Sequence, residues 1–265
     1  MNEKLMNTEV KEIPVGAWML SLGRSFLIQS VFNTERMQNL GFAYSIAPLL
    51  GNTSAGPDAD GLTGKKKLEG HLEFFNTNPY LASAIVGAVG RLESDGRKAE
   101  EIKIFKRALM GPFGALGDSL FWCSLKPVAV LAGVSVAMGG RVFWAVLATL
   151  LIYNTLHIWA RLWGFYNGVY FGRWMVYRFT RINFARSNAL LGLTAVFILA
   201  IAAVWGINTG ESLGALIGGH YLVAGALAGA IVWLSSEAIG RGMSSETLFY
   251  LAGGISLATT LAIGT

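Results

Sequence analysis

The 265-residue chain is 53% hydrophobic, has a mean hydropathy of +0.49 and carries only 14% charged residues. Soluble domains carry about 25% charged residues, so this composition excludes an ordinary soluble enzyme and points to an integral membrane protein. The single cysteine, Cys123, excludes an internal disulfide and a multi-cysteine metal site, and the net charge of +5 gathers beside apolar segments rather than in a nucleic-acid patch.

Residues 1–24 read as a short amphipathic start on the cytoplasmic side. The first 12 residues are polar and lack an apolar core, so no cleavable signal peptide is expected. Residues 25–50 mix apolar runs with Asn33, Glu35, Arg36 and Gln38 and end near Pro48. That is too polar for a clean span and suits an interfacial or re-entrant helix. Residues 51–67 are rich in turn formers and read as a linker, ending in Lys65, Lys66 and Lys67, which are expected to be solvated.

Next come His71, then Asn76, Thr77, Asn78 and Pro79. The apolar run that follows, 81–90, is too short to span a bilayer and suggests a re-entrant half-helix. The amides and hydroxyl of Asn76, Thr77 and Asn78 would then sit at its N-terminal end. Such groups offer both donors and acceptors to sugar hydroxyls, or simply cap the helix ahead of Pro79. Residues 91–107 read as a cytoplasmic helical stretch with Ile102, Phe105 and Leu109 on one face. Glu93, taken alone, is expected to be solvated.

The chain changes character over 109–122, where Gly111, Gly114 and Gly117 recur every third residue and Asp118 follows. One reading is a tight glycine turn with Asp118 capping the helix beyond it. The other is a functional carboxylate at the mouth of an apolar run, where a charge is costly. Uncharged or nearly uncharged stretches at 120–139, 142–160, 187–207, 212–236 and 247–265 read as spans. The expected fold is therefore an all-α integral membrane protein, transporter-like, with re-entrant or interfacial helices over 1–110 and about five transmembrane helices over 111–265.

Between 161 and 186, Arg161, Arg173, Arg178, Arg181 and Arg186 stand without an acid, and read as a cytoplasmic basic loop. Counting spans from it places the N-terminus in the cytoplasm and the C-terminus outside. Gly164, Gly168 and Gly172 form a small-residue ridge suited to packing against a partner helix. His157 and His220 are lone histidines in apolar spans, and no metal-ligand spacing, nucleophile elbow or phosphate loop is present. Neither a metal nor a cofactor is expected.

Four stretches in register carry a resemblance. They are Arg24 to Phe26 with Gln29 and residues 32–44; His71 with residues 74–80; residues 109–112 and 117–122; and Tyr153, Asn154, Arg161, Gly164, Gly168, Tyr170 and Gly172. Together they resemble the IID membrane subunit of the mannose–fructose–sorbose class of bacterial sugar phosphotransferase systems. The resemblance implies a permease subunit of the bacterial inner membrane that works with a IIC membrane subunit and imports a hexose. The phosphoryl group would come from cytoplasmic IIB and IIA proteins, which carry the phosphorylated histidines. The chain itself would then be no enzyme, and neither His71 nor His157 would be phosphorylated. Asn76, Thr77, Asn78 and Asp118 would lie near the sugar path or the IIC contact. The chain departs from the family pattern in its glycine-rich 51–64 segment, in Gly70 before the histidine, and in the residues around Glu93. Those departures leave a non-transporting scaffold or sensor as the alternative.

Overall fold

A computed structural model describes residues 13–50 and 64–209 of the chain. All regular elements among these residues are helical, with two isolated β-bridges joining Met37 to Asn33 and to Phe75. In chain order they are α1 (Val15–Ser25), α2 (Asn39–Leu50), α3 (Gly64–Gly70), α4 (Ala82–Ser94), α5 (Ala99–Gly117), a π-helical segment (Asp118–Leu125), α6 (Lys126–Met138), α7 (Val142–Phe171), α8 (Met175–Thr180) and α9 (Phe184–Thr209).

The centre is α4. Every residue from 82 to 93 is buried. Its small residues allow this: α7 lays Gly164 and Gly168 against Ala84, Gly87 and Ala88. A Cβ at Gly168 would overlap the Ala84 carbonyl oxygen and come within 2.6 Å of the Ala88 nitrogen. The two backbones are therefore in direct contact, as small-residue ridges permit. The predicted ridge is real, but it packs within the chain. Gly172, at φ +50°, ends α7 in a backbone region that favours glycine.

Two helical rods among the described residues are long and apolar enough to cross a membrane, Ala99–Met138 and Val142–Thr180. The apolar part of α9, Phe184–Leu199, is shorter. The expected spans at 212–236 and 247–265, and His220, lie outside the described residues, and about five spans stays an expectation.

Several expectations change. Residues 109–122 form no turn: Gly111, Gly114 and Gly117 lie in α5, and Asp118 continues the same rod with φ −63°. Asp118 therefore caps no new helix. The hydrogen-bond ladder shifts to π spacing over Asp118–Leu125, which absorbs one extra residue without breaking the rod. Residues 161–186 are mostly helix rather than loop, because α7 continues through Arg161 to Phe171 and α8 follows a short 3-10 turn. The half-helix expected over 81–90 runs on to Ser94. The lysine run forms α3, where Lys67 is buried, not solvated, and Glu93 is buried with it.

Candidate functional site

The segment before α4 is held by the segment before α2. Gln38 donates its backbone N–H to the Phe75 carbonyl at 2.8 Å, and Phe75 donates to the Arg36 carbonyl at 3.3 Å. The Gln38 side chain then clamps Thr77: its amide donates to the Thr77 carbonyl at 2.9 Å and its carbonyl accepts the Thr77 N–H at 3.2 Å. Asn39 and Arg36 both donate to the Leu72 carbonyl, at 2.9 and 3.2 Å, and Asn33 orients Asn39 through a 2.8 Å amide–amide bond. Met37, at φ +58°, makes the sharp reversal that aims these groups. A left-handed non-glycine residue is rare and is kept where its surroundings fix it.

This clamp presents Asn78 to the π-helical segment. The Asn78 amide, buried to 2% exposure, donates to Asp118 Oδ1 at 2.8 Å, while its carbonyl accepts the Tyr80 N–H at 3.0 Å. Gly117 makes the approach possible, since a Cβ there would overlap the Asn78 side chain. Gly114 faces Thr77 and Asn78 at about 3.9 Å, whereas Gly111 faces nothing within 4 Å. Of the four polar residues singled out in the sequence, Asn78 and Asp118 meet and Thr77 is buried beside them. Asn76 is exposed, and only its backbone N–H is engaged, with Met110 Sδ at 3.3 Å. The Asp118 carboxylate itself is exposed on the rod.

Around this pair lies a polar–aromatic cluster that sequence reasoning passed over. Tyr80 and Tyr153 share a hydroxyl–hydroxyl bond of 2.8 Å, and His157 packs 4.6 Å from the Tyr80 ring. Arg161 lies across the rings of Phe26 and Tyr80 at 4.8 and 5.1 Å and donates to the Ser25 carbonyl at 2.9 Å. The spacing of Tyr153, His157 and Arg161 at four-residue steps was the available signal, since it puts all three on one helix face.

A second polar centre sits at the far end of α4. Glu93 accepts from His71 Nε2 at 3.0 Å and pairs with Lys67 at 3.3 Å. Burial holds His71 below its ordinary pKa, so it sits neutral and donates to the carboxylate. Burial works to raise Glu93, but the hydrogen bond from His71 and the charge of Lys67 outweigh it and hold the carboxyl below its usual range. Glu73 joins Lys106, Arg107 and Lys103 at 3.0, 2.9 and 3.9 Å, with the Lys106 ammonium 5.0 Å above the Phe42 ring.

No group of three His, Cys, Asp or Glu suited to a metal ion occurs among the described residues. The helical architecture is shared with two solved chains. A chain in the cryo-EM structure titled Mannose Transporter ManYZ and Microcin E492 (MceA) complex superposes with a TM-score of 0.55 at 23% identity, covering 95% of this chain and 98% of that one. A chain in a structure titled Structure of membrane protein gives 0.66 at 25% identity, with the same coverage.

The family model described as PTS system mannose/fructose/sorbose family IID component matches residues 17–213, and the chain belongs to that family. It is 35% identical over 146 residues to the mannose-specific EIID component of Escherichia coli K12, covering 53% of this chain and 50% of that protein. It is 32% identical over 146 residues to the fructose permease IID component of Bacillus subtilis 168, covering 53% and 51%. With the sorbose-specific EIID component of Klebsiella pneumoniae it shares 30% identity over 161 residues, covering 59% and 57%. The chain thus spans between half and three-fifths of the length of these curated relatives.

Proposed function

We propose that this chain is the IID half of a sugar permease in the bacterial inner membrane, paired with a IIC subunit, and that it imports a hexose for phosphorylation by cytoplasmic IIB and IIA proteins. Family membership supports the class, and the Asn78–Asp118 bond carries the site assignment. A carboxylate on an apolar rod is expensive in lipid unless it meets protein, water or substrate. Here one oxygen takes the buried Asn78 amide, and the exposed side of the carboxyl faces away from the chain's own core. That side meets the IIC subunit or the sugar path, with Thr77 beside the pair and Asn76 further along the rod at Met110. The π-helical register belongs to this reading, because π segments recur where a helix must aim a functional side chain.

The chain contributes no catalytic residue in this reading. The Asn78–Asp118 pair orients hydroxyls and excludes water, and the phosphoryl group arrives on the partner proteins. Arg173, Arg178, Arg181 and Arg186 face the cytoplasm.

The test is uptake of labelled mannose, fructose and sorbose into vesicles carrying this chain, IIC and the soluble phosphotransferase proteins. Asn78→Ala or Asp118→Ala abolishes uptake while the membrane level of the protein holds. Unchanged uptake in both variants would sink the site assignment. Absence of uptake with the native chain, for every sugar of the class, would favour the scaffold or sensor reading.

A further inference from the structure

The π-helical segment is closed by side chains as well as by its backbone. Four hydroxyls in the α-helices turn back to the carbonyl four residues earlier: Ser45 to Gly41 at 2.7 Å, Ser135 to Leu131 at 2.9 Å, Thr149 to Ala145 at 3.0 Å and Thr194 to Leu190 at 2.9 Å. That is the ordinary bond of a serine or threonine inside an α-helix. Ser124, inside the π-helical segment, reaches instead the Ser119 carbonyl, five residues earlier, at 3.0 Å. Its bond belongs to the π register and is lost when the segment rewinds to α spacing.

Helix α9 ties the same two residues from outside. Asn188 stands in its first turns, at the start of the uncharged stretch 188–207. Its carboxamide lies 2.6 Å from the Ser119 hydroxyl and 3.2 Å from the Ser124 hydroxyl. An amide offers a donor at one end and an acceptor at the other, so one side chain bridges both hydroxyls. Polar glue between helices in lipid needs only one such contact. Here the two contacted residues are those that bracket the wide turn.

Register and site are joined by geometry. Asp118 is the first residue of the segment and follows Gly117, which lies against Asn78. Rewinding to α spacing turns the rod before the segment by about 100° relative to the rod after it, with a slide of about 1.5 Å. Helix α6 is locked beyond it, because a Cβ at Gly133 would overlap Thr149 of α7 and meet the Ala145 carbonyl at 3.0 Å. The turn therefore falls on the Asp118 side and carries the carboxylate off the Asn78 amide.

We propose that Asn188 is a positioning residue for the Asn78–Asp118 pair. By bridging Ser119 and Ser124 it latches the π register, and a movement of α9 that withdraws it releases the segment to α spacing. For its effect on sugar uptake the proposal rests on the transport reading above; the latch itself is read from the register alone. Losing two neutral hydrogen bonds shifts the balance between registers by about 5–150-fold.

The test is a distance across the segment in the full chain in lipid nanodiscs. Nitroxide labels go on Ala115→Cys and Val130→Cys, exposed positions on either side, with the single native thiol removed as Cys123→Ala. Double electron–electron resonance gives one distance when residues 119, 124 and 188 are native. Asn188→Leu and Ser124→Ala each add a second distance. Ser124→Thr, which keeps the hydroxyl, and Ser135→Ala, whose hydroxyl bonds at ordinary spacing, do not. In the uptake assay, without the labels, Asn188→Leu lowers transport as Asp118→Ala does, and Ser124→Thr keeps it. A merely structural Asn188 would lower the melting temperature of Asn188→Leu and leave a single distance, and that result overturns the proposal. A second distance in Ser135→Ala, or native uptake in Asn188→Leu where Asp118→Ala abolishes it, overturns it equally. Where Asp118→Ala itself leaves uptake native, the site assignment fails and the distances alone decide the latch.

Discussion

The contact between α4 and α7 yields the sharpest expected outcome, because two glycines that look alike in sequence stand in opposite surroundings. At Gly168 an added Cβ meets the Ala84 carbonyl oxygen and the Ala88 nitrogen, both backbone atoms of a buried helix. No rotamer change relieves that overlap, so one whole helix must move. Overpacking of this kind costs about 1–3 kcal/mol, and alanine's better helix propensity returns about 1 kcal/mol. The net loss for Gly168→Ala is about 1–2 kcal/mol, taking the upper part of the range because the obstacle is backbone. That corresponds to a fall in melting temperature of about 2–8 °C. At Gly111, on the same kind of helix interior, nothing lies within 4 Å. Gly111→Ala is therefore neutral or gains up to about 1 kcal/mol. Thermal unfolding of the detergent-solubilised chain, followed by the fluorescence of its eight tryptophans, reads both. A native melting temperature for Gly168→Ala, or an equal fall for Gly111→Ala, would refute the close-contact argument.

Three further outcomes follow from the polar centres. Gln38→Ala strips the clamp from Thr77 and leaves a buried N–H and C=O unpaired, at about 1–3 kcal/mol each, so both melting temperature and hexose uptake fall; native values for both would show that the clamp is dispensable. Acid sensitivity should come from His71. Its folded pKa lies below the ordinary 6.5, so the unfolded chain takes up the proton first and stability falls as pH drops below about 6.5. Glu93, also held low, adds a second loss below about pH 4.5. Melts at pH 8, 7, 6 and 5 test this, and His71→Gln, which keeps an N–H donor for Glu93, flattens the upper part of the fall; an unaltered profile in that variant would assign the sensitivity elsewhere. Arg161→Lys keeps the charge but loses the planar stacking on Phe26 and Tyr80, at about 0.5–2 kcal/mol. The same fluorescence melt reads it, and a melting temperature equal to the native chain's would show that stacking contributes nothing.

The sequence determined the membrane class, the helical composition of the described residues and the family, and it singled out Asn78 and Asp118, which the structure brings together. Those features are local: hydropathy, residue spacing and motif order survive without knowing what touches what. It also placed Ile102 and Leu109 on a buried face, because helical periodicity is a property of the strand of sequence itself.

What it could not carry is continuity and partnership. Gly111, Gly114 and Gly117 read as a turn because glycine permits one, yet all three lie inside α5, where Gly114 and Gly117 face residues 77 and 78. Lys67 and Glu93 read as solvated because each is charged and its counter-ion lies 26 residues away. Arg161 read as the start of a loop because a charge after an apolar run ordinarily ends a span, whereas the Ser25 carbonyl and two aromatic rings satisfy it inside α7. In each case a group that is costly in isolation becomes affordable through a contact distant in sequence. Only the tertiary structure supplies that contact, and it is also what turns Asp118 from a residue at the mouth of a helix into the acceptor for a buried Asn78 amide.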